Sequence, residues 1–237
     1  MLRAVTFDFW GTLYQNAYAR EERLEILQEE LKAHGHVVPD EELQEAHRRG
    51  RIAVDRIWRE ERRSIAMEEW IAAVLNALDV ELPTQRIEAL VAPIEEAFLS
   101  MGEPHPVPGV QDVLPQIAQR YRLGIISDVG LTPGRVLRQI LERDGLRTHF
   151  DTFSFSDEVG MTKPRPEIFL QTLERLGATP KESAHVGDLP ETDLTGARAV
   201  GMRTVLFLSV SHRDDGLEMA DAAFEDYREL PDILAGF

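Results

Sequence analysis

The sequence predicts an α/β protein: a parallel sheet covered by helices, with a separate helical domain inserted after its first strand. Three observations carry this. The stretch Val5-Thr6-Phe7-Asp8-Phe9-Trp10-Gly11-Thr12-Leu13 opens as a short apolar run and breaks at a carboxylate and a glycine. A buried parallel strand reads this way where it leaves the sheet. Residues 16–103 show helical spacing and little strand-like alternation. From Gly109 onward strand-like and helix-like segments alternate, as in successive βαβ units.

The first strand covers residues 2–7. A helix over 16–34 carries Leu24, Leu27 and Leu31 at helical spacing and stops at Gly35. A second runs over 40–63, with Asp40 as N-cap after Pro39. A third holds Trp70, Ile71, Val74, Leu75 and Leu78. A fourth follows Thr84, with Ile87, Leu90 and Val91, and Pro93 should kink or break it. This block is too long and too helical for a simple crossover. Pro104-His105-Pro106-Val107-Pro108-Gly109 is the return linker. Beyond it come a helix over 110–119, a strand over 122–127 and a helix opened by Thr132-Pro133. A strand over 150–155 and a helix over 164–176, stopped by Gly177, follow. Next are a strand over 183–186, a helix over 191–200 and a strand over 203–208. The tail, 222–234, adds a last short strand and helix. The expected division is 1–15 and 104–237 for the sheet domain and 16–103 for the helical one.

A chain of 237 residues, 43% of them apolar, can bury a substantial core. There is no cysteine, hence no disulfide, thiolate metal site or thiol nucleophile, which suits a reducing cytosol. There is no signal-peptide pattern and no bilayer-length apolar segment, so a cytoplasmic protein without a membrane partner is expected. A net charge of −16 argues against nucleic acid, whose phosphates need clustered cations. An acidic protein acting on a small anionic substrate must concentrate positive charge locally, often with a metal ion. An exposed apolar face on the helical domain would make a homodimer as reasonable as a monomer.

Four strand ends carry polar groups: Asp8, Ser127, Lys163 just beyond the third, and Asp188, with Asp193 five residues later. In a parallel sheet these ends share one edge, where chemistry collects. Carboxylates, a hydroxyl and an ammonium together suit a phosphoryl group. Oxygen ligands hold Mg²⁺, while lysine and serine neutralise and orient the phosphate oxygens. Aspartate also serves as a covalent nucleophile in phosphoryl transfer. Plainer readings stand beside these. Asp8 also reads as a helix cap, Ser127 as a strand end, and Asp193 as a first-turn acid favoured by the helix dipole. Lys163 also reads as a surface lysine, but the chain has only three Lys against 23 Arg.

At these residues the chain resembles the haloacid dehalogenase-like hydrolase superfamily, in its subfamily I type with an inserted helical cap. Asp8-Phe9-Trp10-Gly11-Thr12-Leu13 matches the first motif and Ile125-Ile126-Ser127 the second. Lys163-Pro164-Arg165-Pro166-Glu167-Ile168-Phe169 matches the third, and the run from Val186-Gly187-Asp188 through Asp193 to Gly201 the fourth. The resemblance implies a doubly wound core of flavodoxin-like type and a cap formed by residues 16–103. It implies that Asp8 is the nucleophile and a Mg²⁺ ligand, with the Trp10 carbonyl and Asp188 as further ligands. Asp193 would bind the ion directly or through water, or orient Lys163. Thr12 and Ser127 would hold the transferred group, and Lys163 would balance the charge of Asp8 and the phosphate.

The sequence departs from the family pattern at Trp10. Most phosphatases of the family carry there a second Asp that protonates the leaving group, and indole cannot exchange a proton near neutral pH. Three readings follow. The first, and the one preferred, is a Mg²⁺-dependent phosphatase that is slow, takes an activated leaving group, or borrows an acid from the cap. The second is metal-free hydrolytic dehalogenation of a 2-haloacid, whose enzymes carry an aromatic residue at this place but lack the Gly-Asp seen here as Gly187-Asp188. The third is a non-catalytic binding protein on the same fold. Phosphonate cleavage would need a cap lysine, and Lys32 lies in an ordinary helix end. Asp128 stands where relatives more often have Asn, and would either repel a phosphate or bond to the first loop. The run Arg48, Arg49, Arg51, Arg56, Arg59, Arg62 and Arg63 reads as a solvated face laced with Asp55, Glu60 and Glu61. His34 and His36 are expected to meet helix-end carbonyls, and Trp58 and Trp70 to fill the cap core.

Overall fold

The computed structural model describes residues 1–237, the side chain of Ala53 excepted. Six strands form one wholly parallel sheet. They are β1 (Ala4–Phe7), β2 (Arg122–Ser127), β3 (Thr152–Phe155), β4 (Ser183–Gly187), β5 (Arg203–Phe207) and β6 (Ala222–Phe224). Their order is β3-β2-β1-β4-β5-β6. The sheet is doubly wound as expected. It departs from the flavodoxin order, 2-1-3-4-5, because the chain makes two crossovers on one side of β1 before returning to the other.

Side chains alternate along each strand. Val5, Phe7 and Ile125 join Leu114, Val136 and Leu137 on one face, while Ala4 and Ile126 join Ile168, Phe169 and Leu173 on the other. Both faces are apolar, as a parallel sheet covered on both sides requires. The covering helices are α6 (Val110–Ala118), α7 (Gly134–Arg143), α8 (Ser156–Val159), α9 (Pro166–Leu176), α10 (Thr195–Val200) and α11 (Leu230–Ala235). Gly177 ends α9 with φ 63°, a conformation that costs glycine little.

Between β1 and α6 the elements are all helical: α1 (Arg20–Ala33), α2 (Asp40–Arg56) with a π-helical turn after it, α3 (Met67–Ala77), α4 (Thr84–Glu95) and α5 (Ala97–Met101). The first four close around their own apolar cluster, which includes Leu24, Leu27, Trp70, Ile71, Val74, Leu90 and Ile94, while Ala97 and Phe98 of α5 join the cluster of the sheet. Both ends of this insertion leave the sheet at one place. The Gln15 N–H donates to the His105 carbonyl (3.1 Å), and the Val107 N–H to the Leu13 carbonyl (2.9 Å).

One expected helix ends early, and one breaks where its proline predicts. The helix expected over 40–63 stops at Arg56, widens into a π-helical turn (Ile57–Glu61) and reverses at Arg62, where φ is 53°. Pro93 lies inside α4, which ends two residues later before the chain enters α5. Proline removes one N–H, and the break follows within a turn. Among the described residues no helix is long and apolar enough to cross a membrane.

Helix α7 starts hard against β3: a methyl group on Gly134 would lie 2.4 Å from Cδ2 of Phe155. Gly134→Ala should lower the unfolding free energy by about 1–3 kcal/mol. The urea midpoint reads this directly, and an unchanged midpoint would contradict it.

Candidate active site

The strand order reverses beside β1, which opens a crevice beyond the carboxyl ends of β1, β2 and β4. Register sets what meets there. Phe7 is level with both Ile125 and Val186, and the Asp8 N–H extends the ladder by donating to the Val186 carbonyl (2.9 Å). Asp8, Ser127 and Gly187-Asp188 therefore emerge together. Lys163 enters from the loop before α9, and Asp193 from the turn after β4.

Lys163 is 2% exposed and holds two carboxylates at once. Its Nζ lies 2.8 Å from Asp8 Oδ1 and 2.6 Å from Asp193 Oδ1. Burial alone would lower the lysine pKa, but Asp193, Asp8 and Asp128 together hold it well above its usual range. Asp193 feels the converse. Burial favours its acid form, yet Lys163 and His185 hold the carboxyl well below the ordinary range. His185 reaches Asp193 Oδ1 with Nε2 at 3.0 Å and Thr6 Oγ1 with Nδ1 at 2.8 Å. The Leu189 N–H donates to Asp193 Oδ2 (3.0 Å).

Asp8, Asp188 and Asp193 each place one carboxylate oxygen within 4.8 Å of the others. Asp188 has no cation of its own in this group. Burial beside Asp8 and Asp193 pushes its pKa up to about 8. It accepts from the Ser211 hydroxyl and, at 3.5 Å, from Thr12 Oγ1. Glycine is required at two close approaches. At Gly11, where φ is 70°, a Cβ would sit 2.2 Å from Asp188 Oδ2; at Gly187 it would sit 2.3 Å from Asp193 Cγ. The Tyr227 hydroxyl donates to the Thr12 carbonyl (2.8 Å) and so anchors the first loop. Ser127 Oγ is buried without a hydrogen-bond partner among the described residues. An orphaned hydroxyl at a strand end is free to bond a ligand.

Above this edge lies a cavity of about 940 Å³, walled on one side by Asp8, Trp10, Lys163 and Asp188 and on the other by α1 and α2. Several expectations are revised here. Trp58 is not in the core of the helical part. It lines the cavity and donates from Nε1 to Asp128 Oδ2 at 3.0 Å. Asp128 Oδ1 accepts the Lys163 backbone N–H (3.0 Å), so this carboxylate bonds to the lysine loop and not to the first loop. Burial pushes its pKa up to about 6. Trp70 is fully buried among the helices, as expected, and His34 bonds the Glu30 carbonyl at its helix end.

The arginine run is only partly a solvated face. Arg48 and Arg49 pair with Glu45, and Arg63 with Glu61 and Glu69, but Arg48, Arg51 and Arg63 also line the cavity, and of these three Arg51 has no ion pair among the described residues. Arg23, also on the cavity wall, is buried. It donates to the carbonyls of Tyr18, Ile94 and Leu131 and to Thr132 Oγ1. Sequence reasoning missed the roles of Trp58 and Arg23. For Trp58 a signal existed: it falls two helical turns beyond Arg51, on the same face.

The family model described as haloacid dehalogenase-like hydrolase matches residues 2–201. The chain belongs to that family. A ribulose-1,5-bisphosphate 5-phosphatase of Halopiger xanaduensis is 31% identical, over 94% of this chain and 91% of its own. A glyceraldehyde 3-phosphate phosphatase of Methanopyrus kandleri is 27% identical, over 99% of this chain and 97% of its own. The crystal structure of a 2-haloacid dehalogenase from Pseudomonas syringae pv. Tomato DC3000 superposes with a TM-score of 0.73. It is 26% identical and covers 100% of this chain and 99% of that one.

Removing the shared ammonium should be costly. Lys163→Met leaves two buried carboxylates facing each other and should lower the unfolding free energy by about 3–5 kcal/mol at neutral pH. A loss under about 1 kcal/mol in urea titration would mean the pair is not held together as described.

Proposed function

We propose that this hydrolase is a Mg²⁺-dependent phosphatase that acts on a small phosphorylated molecule through an aspartyl-phosphate on Asp8. One observation carries the reading. Three buried carboxylates lie together, the one ammonium pairs with only two of them, and the surplus negative charge falls on Asp188, where a divalent cation would relieve it. The two relatives of nearly equal length, both named phosphatases, support it.

The donor set fits Mg²⁺, which takes hard oxygen ligands. Asp8, Asp188 and the main-chain carbonyl of Trp10 would hold the ion. Asp193 would reach it through water, since its oxygens already accept from Lys163, His185 and Leu189. When bound, the ion would neutralise and orient the phosphoryl oxygens. In this mechanism an Asp8 oxygen attacks phosphorus and the bond to the leaving oxygen breaks. Water then attacks the phosphorus of the aspartyl-phosphate, releasing phosphate and restoring Asp8. Lys163 balances charge on Asp8 and the phosphoryl group, while Ser127 and Thr12 donate to its oxygens. Residues 1–15 and 104–237 would form the catalytic core, and residues 16–103 the cap that closes the cavity and excludes water. A cytoplasmic location belongs to the same reading.

Trp10 supplies no proton, so turnover depends on how readily the leaving oxygen departs as an anion. Trp10 and the likeness to a dehalogenase favour a second reading, chloride displacement by Asp8. Asp188 weighs against it, because a metal-free displacement has no use for a third buried carboxylate.

Purified protein should release phosphate from p-nitrophenyl phosphate with Mg²⁺ and stop with EDTA. Asp8→Asn should cost about a thousandfold or more. Chloride release from 2-chloropropionate that is indifferent to EDTA would replace the phosphatase reading with the dehalogenase one. Restoring an acid should change the leaving-group dependence: Trp10→Asp should raise kcat on an alkyl phosphate relative to the aryl phosphate by about a hundredfold. An unchanged ratio would show that another group already supplies the proton.

A further inference from the structure

The cavity is far larger than a phosphoryl group, and its outer wall is chemically distinct. His47, Arg51, Val54 and Trp58 recur at intervals of four, three and four residues, so they share one face of α2 and its terminal turn. All four line the cavity. Trp58 ties the inner end of this stripe to Asp128, and through it to the lysine loop. Arg51 lies two turns farther out, roughly 10 Å along the helix.

Arg51 is half-buried and, among the described residues, makes no ion pair. Its guanidinium lies 5.3 Å from the centre of the Tyr18 ring. Asp55, one turn on, does not pair with it. One turn back, His47 is 8% exposed and its Nδ1 is buried without a partner. Burial and the nearby guanidiniums of Arg51, Arg20, Arg23 and Arg48 push the His47 pKa down to about 4. The wall thus carries a cation with no carboxylate partner beside a histidine packed on Trp70, although Glu21, Glu22 and Asp55 line the same cavity. A chain of net charge −16 has carboxylates to spare, yet none neutralises Arg51. Arg49, on the outer face of the same helix, is matched with Glu45.

We infer that Arg51 and His47 form a second anion site facing Asp8 across the cavity, so that the substrate is a phosphate ester bearing another oxyanion, a carboxylate or second phosphate, at its far end. This rests on the phosphatase reading for the first anion. A guanidinium suits either oxyanion because its fork of N–H donors matches paired oxygens. The neutral imidazole adds one donor at Nε2, its Nδ1 being closed off from the cavity.

The test uses two matched pairs of esters. They are 3-phosphoglycerate against glycerol 3-phosphate, and fructose 1,6-bisphosphate against fructose 6-phosphate. In at least one pair the doubly anionic member should show a kcat/KM higher by about tenfold or more, and the pair identifies the oxyanion. Arg51→Gln should collapse that ratio toward one. Arg49→Gln, with the same loss of charge on the opposite face, should keep it. Calorimetric binding of the same esters to Asp8→Asn protein, with and without Arg51→Gln, reads the site apart from turnover. A binding preference that depends on Arg51 without phosphate release from any ester would keep the anion site and overturn the phosphatase reading. Equal kcat/KM and equal binding within both pairs would overturn the second site, as would a preference that survives Arg51→Gln.

Discussion

Two aspartates share one buried ammonium at the edge of this sheet, and a third is left without one. The arrangement is costly on its own terms, since each charge leaves water. It holds because Lys163 sits within 2.8 Å of both Asp8 and Asp193, and because Asp193 is further bonded by His185 and Leu189. Everything around it serves to keep those groups in register. The parallel pairing of β1 with β2 and β4 sets the level of the strand ends. Two glycines clear the space in which the carboxylates lie, and Tyr227 fixes the loop that carries Thr12. The unshared carboxylate of Asp188 is where the charge balance calls for something from outside the protein.

The helical part meets this edge through polar contacts. Trp58 bonds Asp128, the Ser64 hydroxyl lies 2.6 Å from that of Ser156, and the Thr162 N–H donates to the Arg62 carbonyl (3.2 Å). Arg23 is the deepest of these ties. Its guanidinium bonds carbonyls from α4, from the segment before α1 and from the loop after β2. Burial lowers its pKa to about 10, against the pull of nearby Glu95 and Glu22, and leaves it far above neutrality. A charge held by backbone carbonyls fixes the geometry where the two parts meet.

The sheet and its edge were largely legible in the sequence because both rest on local, repeated signals. A short β-branched run ending in a carboxylate or hydroxyl marks a buried strand and its exit, and this happened at Asp8, Ser127 and Asp188. Segment types for the helices were equally readable, since Leu24, Leu27 and Leu31 or Trp70, Ile71 and Val74 keep a helical period. What escaped was set by three-dimensional neighbours. Nothing near Asp128 in sequence announces Trp58, seventy positions away. Nothing in the spacing of seven arginines says which one turns inward. Arg51 and Arg49 are two residues apart, yet they lie on opposite sides of α2. Trp58 looked like core because an indole usually is, and only the packing of α2 over the sheet edge gives its N–H a carboxylate.

The apolar cluster of the helical part is distinct from the two that cover the faces of the sheet. The helices bury Leu27, Trp70 and Ile94 among themselves, while the sheet buries Phe7, Ile125 and Val186 under its own helices. Chemistry is thus assigned to one hydrophobic body and the far end of the cavity to another. Replacements along α2 can redraw what the cavity accepts without disturbing the register that aligns Asp8, Lys163 and Asp188. Heritable change can work on recognition while the reacting groups stay where they are, and one scaffold can diversify by editing only its lid.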